Sequence, residues 1–102
     1  MDTTELINFA KSRFDHAATK RVLKEKYQAK MTFALFGGMW QAGPELLTTL
    51  SVCPDREKAV ILDLYENPIL VNVEELEFAA AQRWQEQMYA WLVEYQETSS
   101  KR

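Results

Sequence analysis

Gly37, Gly38 and Gly43 stand close together in the stretch LFGGMWQAGPELL, residues 35–47. Glycines spaced like this can cradle a phosphate, because backbone N–H groups can converge on the anion. A Walker-type cradle runs Gly, four residues, Gly, then Lys and Ser or Thr. Gly38 to Gly43 has the interval, but Pro44 and Glu45 occupy the two deciding positions. Proline has no N–H to donate, and a carboxylate repels phosphate. The G-x-G-x-x-G dinucleotide pattern is missing too. The stretch is expected instead to be a corner built from Gly37, Gly38, Trp40, Gly43 and Pro44. Gly37 would end one helix in the left-handed conformation. Pro44 would open the next, at a position where its missing N–H costs nothing.

The other reactive side chains do not assemble a catalytic set. His16 is the only histidine, next to Asp15 and without a Ser or Cys on a shared helical face. Cys53 is the only cysteine, so no internal disulfide can form, and one Cys with one His makes a poor zinc site. Cys53 also closes a short helix, where the dipole disfavours a thiolate. Glu74, Glu75 and Glu77 suit a helix N-terminus, and Asp63 and Glu66 flank a turn. The reading is non-enzymatic, with no cofactor and no metal.

Charge narrows the partner classes. The net charge is −3, against the basic excess of a general nucleic-acid binder. Residues 1–30 nevertheless balance at +3 and the remainder at −6. Lys11, Arg13, Lys20, Arg21 and Lys24 form a candidate basic face on the first helical segment. No apolar run approaches the roughly 20 residues that span a bilayer, and no basic leader precedes an apolar segment. A protein partner or self-association is favoured over nucleic acid, and no membrane is expected.

The elements follow from periodicity. Apolar residues recur at steps of three and four from Leu6 to Met31, and no Pro or Gly interrupts Thr3 to Phe36. One long helix, or a short one followed by a longer one, is expected there. Glu45 to about Val52 reads as a short helix stopped by Pro54. Val60–Tyr65 and Ile69–Val71 are β-rich and flank Glu66-Asn67-Pro68, a hairpin pattern. Two glycines inserted after Asn67 should then be tolerated. Asn72 and Glu75 resemble a capping box for a last helix. That helix carries Leu76, Ala80, Trp84, Met88, Trp91 and Tyr95 at steps of three and four. The fold expected is α+β: two long helices, a short helix and a small antiparallel β-hairpin, with Met39–Gln41 as a candidate third strand. Residues 1–97 would form one domain and 98–102 a frayed tail.

The last helix carries the strongest signal. Trp84, Trp91 and Tyr95 form one stripe, while Phe78, Tyr89 and Leu92 point elsewhere. An amphipathic helix needs one apolar face, and this one has more. Phe78, Trp84, Met88, Tyr89, Trp91, Leu92 and Tyr95 are therefore the candidate interface, with Trp91 as its anchor if it lies outside the monomer core.

The segments LFGGMWQAGPELLTTL, VILDLYENPILVNVEEL and QEQMYAWLVEYQE together resemble small proteins of T4-like tailed bacteriophages, including those of cyanobacteria. The resemblance covers about residues 20–97. It brings no assigned activity and no functional residues. It implies a phage gene product, a virion, tail or assembly component, found in the host cytoplasm or the virion. The alternatives are a regulator of a host or phage transcription or replication protein, and a nucleic-acid-binding accessory protein.

Overall fold

The computed structural model describes residues 17–100. Lys11, Arg13 and His16 lie outside the described residues. Helix α1 covers 17–29 of them. It is followed by β1 (Thr32–Leu35), β2 (Gly38–Gln41), α2 (Pro44–Ser51), β3 (Ala59–Leu62), β4 (Pro68–Val71) and α3 (Val73–Ser100). The architecture is α+β, as expected, with two separate antiparallel hairpins, β1–β2 and β3–β4.

The first hairpin corrects the sequence reading. The helix does not run to Phe36. It ends at residue 29 in a tight turn, where the Met31 N–H donates to Gln28 O and the Thr32 hydroxyl to Ala29 O. Tyr27, Met31 and Leu35 continue the helical step of four past this end, and Leu35 also fits the alternation of a strand. β1 then pairs with β2, placing Phe33 opposite Trp40 and Leu35 opposite Gly38. Met39–Gln41 is thus a strand, but of a hairpin of its own rather than a third strand beside β3–β4. Gly37 is not a helix cap. Phe36 and Gly37 both have positive φ, 55° and 78°, the signature of a type I′ two-residue hairpin turn. A phenylalanine is strained at such a φ. Phe36 is held there by packing on the core.

The core lies between the hairpins, α2 and the start of α3. Trp40, Leu50, Val71, Val73 and Leu76 are buried together, with Phe33, Leu46, Ile61 and Ile69 packed around them. Trp40 donates its indole N–H to Leu35 O across its own hairpin (2.8 Å). A second cluster of Met31, Ala42 and Ala80 receives Trp84. The Asn72 cap is made: its side-chain oxygen accepts the Glu75 N–H at 2.9 Å. Pro44 opens α2, as expected from Gly43-Pro44. The backbone of 98–100 continues α3, where the sequence suggested a frayed tail.

α1 and α3 are antiparallel. Tyr27 stacks on Trp91 with centroids 5.9 Å apart and planes 8° from parallel. Lys26 Nζ and the Tyr27 hydroxyl both donate to Glu94, at 2.7 and 2.8 Å. The C-terminal half of α3 lies against α1 as the second helix of a two-helix arm.

Candidate protein interaction surface

The DLYENP segment is the most tightly organised polar feature. Asp63 is buried, and its carboxylate accepts three backbone N–H groups: Asn67 at 2.9 Å, Tyr65 at 3.0 Å and Met39 at 3.1 Å. The N–H of Asn67 does most to hold the carboxyl below its usual range, helped by Met39 and Tyr65, and together they outweigh the opposing effect of burial. Leu64 N–H returns a bond to Met39 O at 2.7 Å. Met39 of β2 is therefore bonded through both its N–H and its C=O to the turn of the other hairpin. Asp63 is a structural tie between the two hairpins, and the D-x-Y-x-N spacing is the spacing of its acceptor contacts. The expected tolerance of an insertion after Asn67 is withdrawn. Such an insertion keeps the Asp63–Asn67 spacing but separates Asn67, whose C=O accepts the Asp63 N–H at 2.9 Å, from Pro68 and the first pair of the β3–β4 ladder.

Gly38 marks the same junction. A Cβ there would stand 3.1 Å from Trp40, 3.2 Å from Ile69 and 3.3 Å from Asp63. Gly38 thus permits a close approach and Gly37 a left-handed turn. Between Gly38 and Gly43 lies strand β2, so its backbone groups go to a ladder rather than to an anion cradle.

Arg56 does comparable work elsewhere. Its guanidinium donates to Leu50 O and to Glu77, both at 2.7 Å, joining the end of α2 to the first turns of α3. Among the described residues no group of three His, Cys, Asp or Glu side chains could hold a metal. Cys53 is half-buried against the core, as a small apolar side chain.

Three surfaces remain without a cover among the described residues. The first is an open groove of about 590 Å³ between α1, α2, α3 and the β3–β4 turn, with Pro44, Leu64, Trp84, Met88 and Trp91 in its lining. The second is the outer side of the β3–β4 hairpin. Ala59, Ile61, Ile69 and Val71 face the core, but Val60, Leu62 and Leu70 alternate with them and are exposed. The run VIL–PILV is apolar on both faces, a pattern that ordinarily calls for cover on both.

The third is the far side of α3. Phe78, Gln82, Gln85, Tyr89, Leu92 and Gln96 follow one another at steps of four, three, four, three and four, and all six are exposed. That is the heptad spacing of a helix–helix seam. None of the six is charged. Arg83, Glu94 and Glu97 project from other sides of the helix, and Glu86 stands on the edge of the strip beside Val93. Met88 and Tyr95 border the strip on one edge and Val93 on the other, each partly exposed.

No protein-family model matches the chain, and no curated protein or solved structure matches it. The candidate interface residues accordingly divide by geometry alone. Trp84 and Trp91 are half-buried, Trp84 against the Met31–Ala80 cluster and Trp91 against Tyr27, and both also line the groove. Phe78, Tyr89 and Leu92 lie on the outer strip, and Met88 and Tyr95 on its edge. Sequence reading missed the glutamines that join these aromatics into one seam. Their 4-3 spacing was the available signal. Of the candidate basic face, Lys20, Arg21 and Lys24 are exposed on α1. They lie on the helix whose neighbour, α3, is acidic. No described helix is long and apolar enough to cross a membrane.

Proposed function

We propose that this chain is a non-enzymatic protein–protein interaction protein, a small phage structural component of the virion or tail, or an assembly factor. The observation that carries the reading is the uncharged, exposed strip of α3 from Phe78 to Gln96. A helix of a self-sufficient monomer carries its charges on the side opposite the core. Here that side carries Phe, Tyr, Leu and Gln. Aromatics and Met are enriched at protein interfaces, and charged residues are depleted at their centres. The phage setting rests on the sequence resemblance over residues 20–97. Quantitative mass spectrometry of purified virions and of assembly intermediates tests it. A fixed copy number in virions supports a structural part, and enrichment in intermediates alone supports an assembly factor. Absence from both, with the chain abundant in infected cells, refutes the proposal in favour of a regulator.

A further inference from the structure

We propose that the outer strip of α3 seats a second copy of this chain, so that two α1–α3 arms close into a four-helix association. The inference rests on the reading of the chain as an interaction protein and names the partner of that surface.

The first observation is thickness. A two-helix arm can bury only the faces the two helices turn toward each other. Bundles with a closed core have four helices, each contributing an inward stripe. Tyr27 and Trp91 form the inner contact of the arm, and the six-residue strip lies on the opposite side of α3. A second arm laid on that strip encloses what one arm cannot.

The second is self-complementarity. In a two-fold interface the same patch meets itself, so a patch of one charge sign repels its copy, and a charged residue on the axis faces its like. The strip has no charge over 19 residues, from Phe78 to Gln96, in a chain with 27 charged residues. Its polar members are three glutamines. An amide both donates and accepts, so a glutamine can satisfy another glutamine. An arginine or glutamate could not do this for its own copy. The composition therefore fits a second copy better than a partner selected by charge.

The third is area. Phe78 is 71% exposed and Tyr89 66%. With aromatic side chains presenting ~150–250 Å² each, these two plus Leu92, Val93, Met88 and Tyr95 expose roughly 600 Å² of apolar side chain. A standard interface takes about 800 Å² from each partner. The glutamines supply the difference.

The experiment is sedimentation equilibrium on the purified full chain from about 1 μM to 1 mM, which covers weak and moderate self-association. The expected mass is twice the 11.9 kDa of one chain. Tyr89→Glu/Leu92→Glu puts carboxylates at two exposed positions. It should leave circular dichroism unchanged and weaken the dimer at least tenfold. Gln85→Lys removes no apolar group, so it should weaken the dimer while leaving the fold intact even if the double variant unfolds. A wild-type chain that stays at 11.9 kDa throughout overturns the proposal. So does a monomer in which Phe78 and Tyr89 resist hydroxyl-radical labelling, since the strip would then be covered within one chain. A dimer indifferent to both variants also overturns it and moves the interface to another face, such as Val60, Leu62 and Leu70. A monomer with fixed virion stoichiometry sinks only self-association. A dimer absent from virions and assembly intermediates sinks only the structural role.

Discussion

Replacing Gly38 by alanine is expected to destabilise the fold by roughly 1–3 kcal/mol, the usual cost of forcing a methyl group into a packed core. The added Cβ would stand 3.1 Å from Trp40 Cζ2, 3.2 Å from Ile69 Cγ1 and 3.3 Å from Asp63 Cβ. Carbon atoms pack best at about 3.5–4.0 Å, so three neighbours must each yield a few tenths of an ångström. None can yield freely. Trp40 is 1% exposed and anchored to Leu35 O, Ile69 is paired with Ile61, and Asp63 is held by three N–H groups. Gly37 provides the contrast. A Cβ there meets nothing within 4 Å, but φ is +78°. Gly37→Ala should cost about 1–2 kcal/mol through backbone strain alone. Gly37→Asn should cost less, because Asn tolerates that region, and Gly37→Val should cost more. Each kcal/mol lowers Tm by about 4–8 °C in a domain near this size. Thermal unfolding followed by circular dichroism and tryptophan fluorescence measures both series. Losses at Gly38 should grow with side-chain volume and disturb the Trp40 signal, whereas losses at Gly37 should follow left-handed preference. A Gly38→Ala chain within about 0.5 kcal/mol of wild type, the usual range for an innocuous surface change, would refute the close-approach argument.

Asp63 and Glu94 both have folded pKa values held below the ordinary carboxylate range, so the stability they confer is present above the unfolded pKa of about 4 and is lost as pH falls through the folded values. Tm measured from pH 6 down to pH 2.5 should fall steeply in wild type and less steeply in Asp63→Asn, with the Glu94 contribution remaining; equal slopes would remove Asp63 from the account. Two glycines inserted after Asn67 should lower Tm by separating the Asp63–Asn67 turn from the Leu62–Pro68 pair, and an unchanged Tm would show that the fold does not depend on that junction's length. Asn72→Ala should cost about 0.5–2 kcal/mol in chemical denaturation and Asn72→Asp close to nothing, since Asp also caps. Glu66 has φ +65°, so Glu66→Gly should be neutral or slightly stabilising by urea titration, and a clear loss would mean that the Glu66 side chain carries a contact.

Elements bounded by local chemistry were legible in the sequence. Pro44 starts α2, Asn72 caps α3, and the Asn67-Pro68 turn joins β3 to β4, because each depends on groups within four residues of one another. The absence of a phosphate cradle was equally local, decided by Pro44 and Glu45. The aromatic surplus of α3 was visible as composition, and its division into an inner and an outer face was visible in part, from Phe78, Tyr89 and Leu92.

Other features depended on contacts between distant segments. The step of four from Leu23 to Tyr27 in α1 continues to Met31 and Leu35, so periodicity alone favours one long helix. Pairing of Phe33 with Trp40 and of Leu35 with Gly38 turns residues 32–35 into a strand instead. Asp63 reads as an ordinary turn carboxylate until Met39, 24 residues away, donates to it. Trp91 is equally suited to a core or an interface until Tyr27 stacks on it from across the arm. By itself the sequence determined the start of α2, the cap of α3 and the β3–β4 turn, because caps, turns and prolines act within one turn of the backbone. Tertiary structure decided which apolar side chains are covered, because burial depends on segments that only folding brings together.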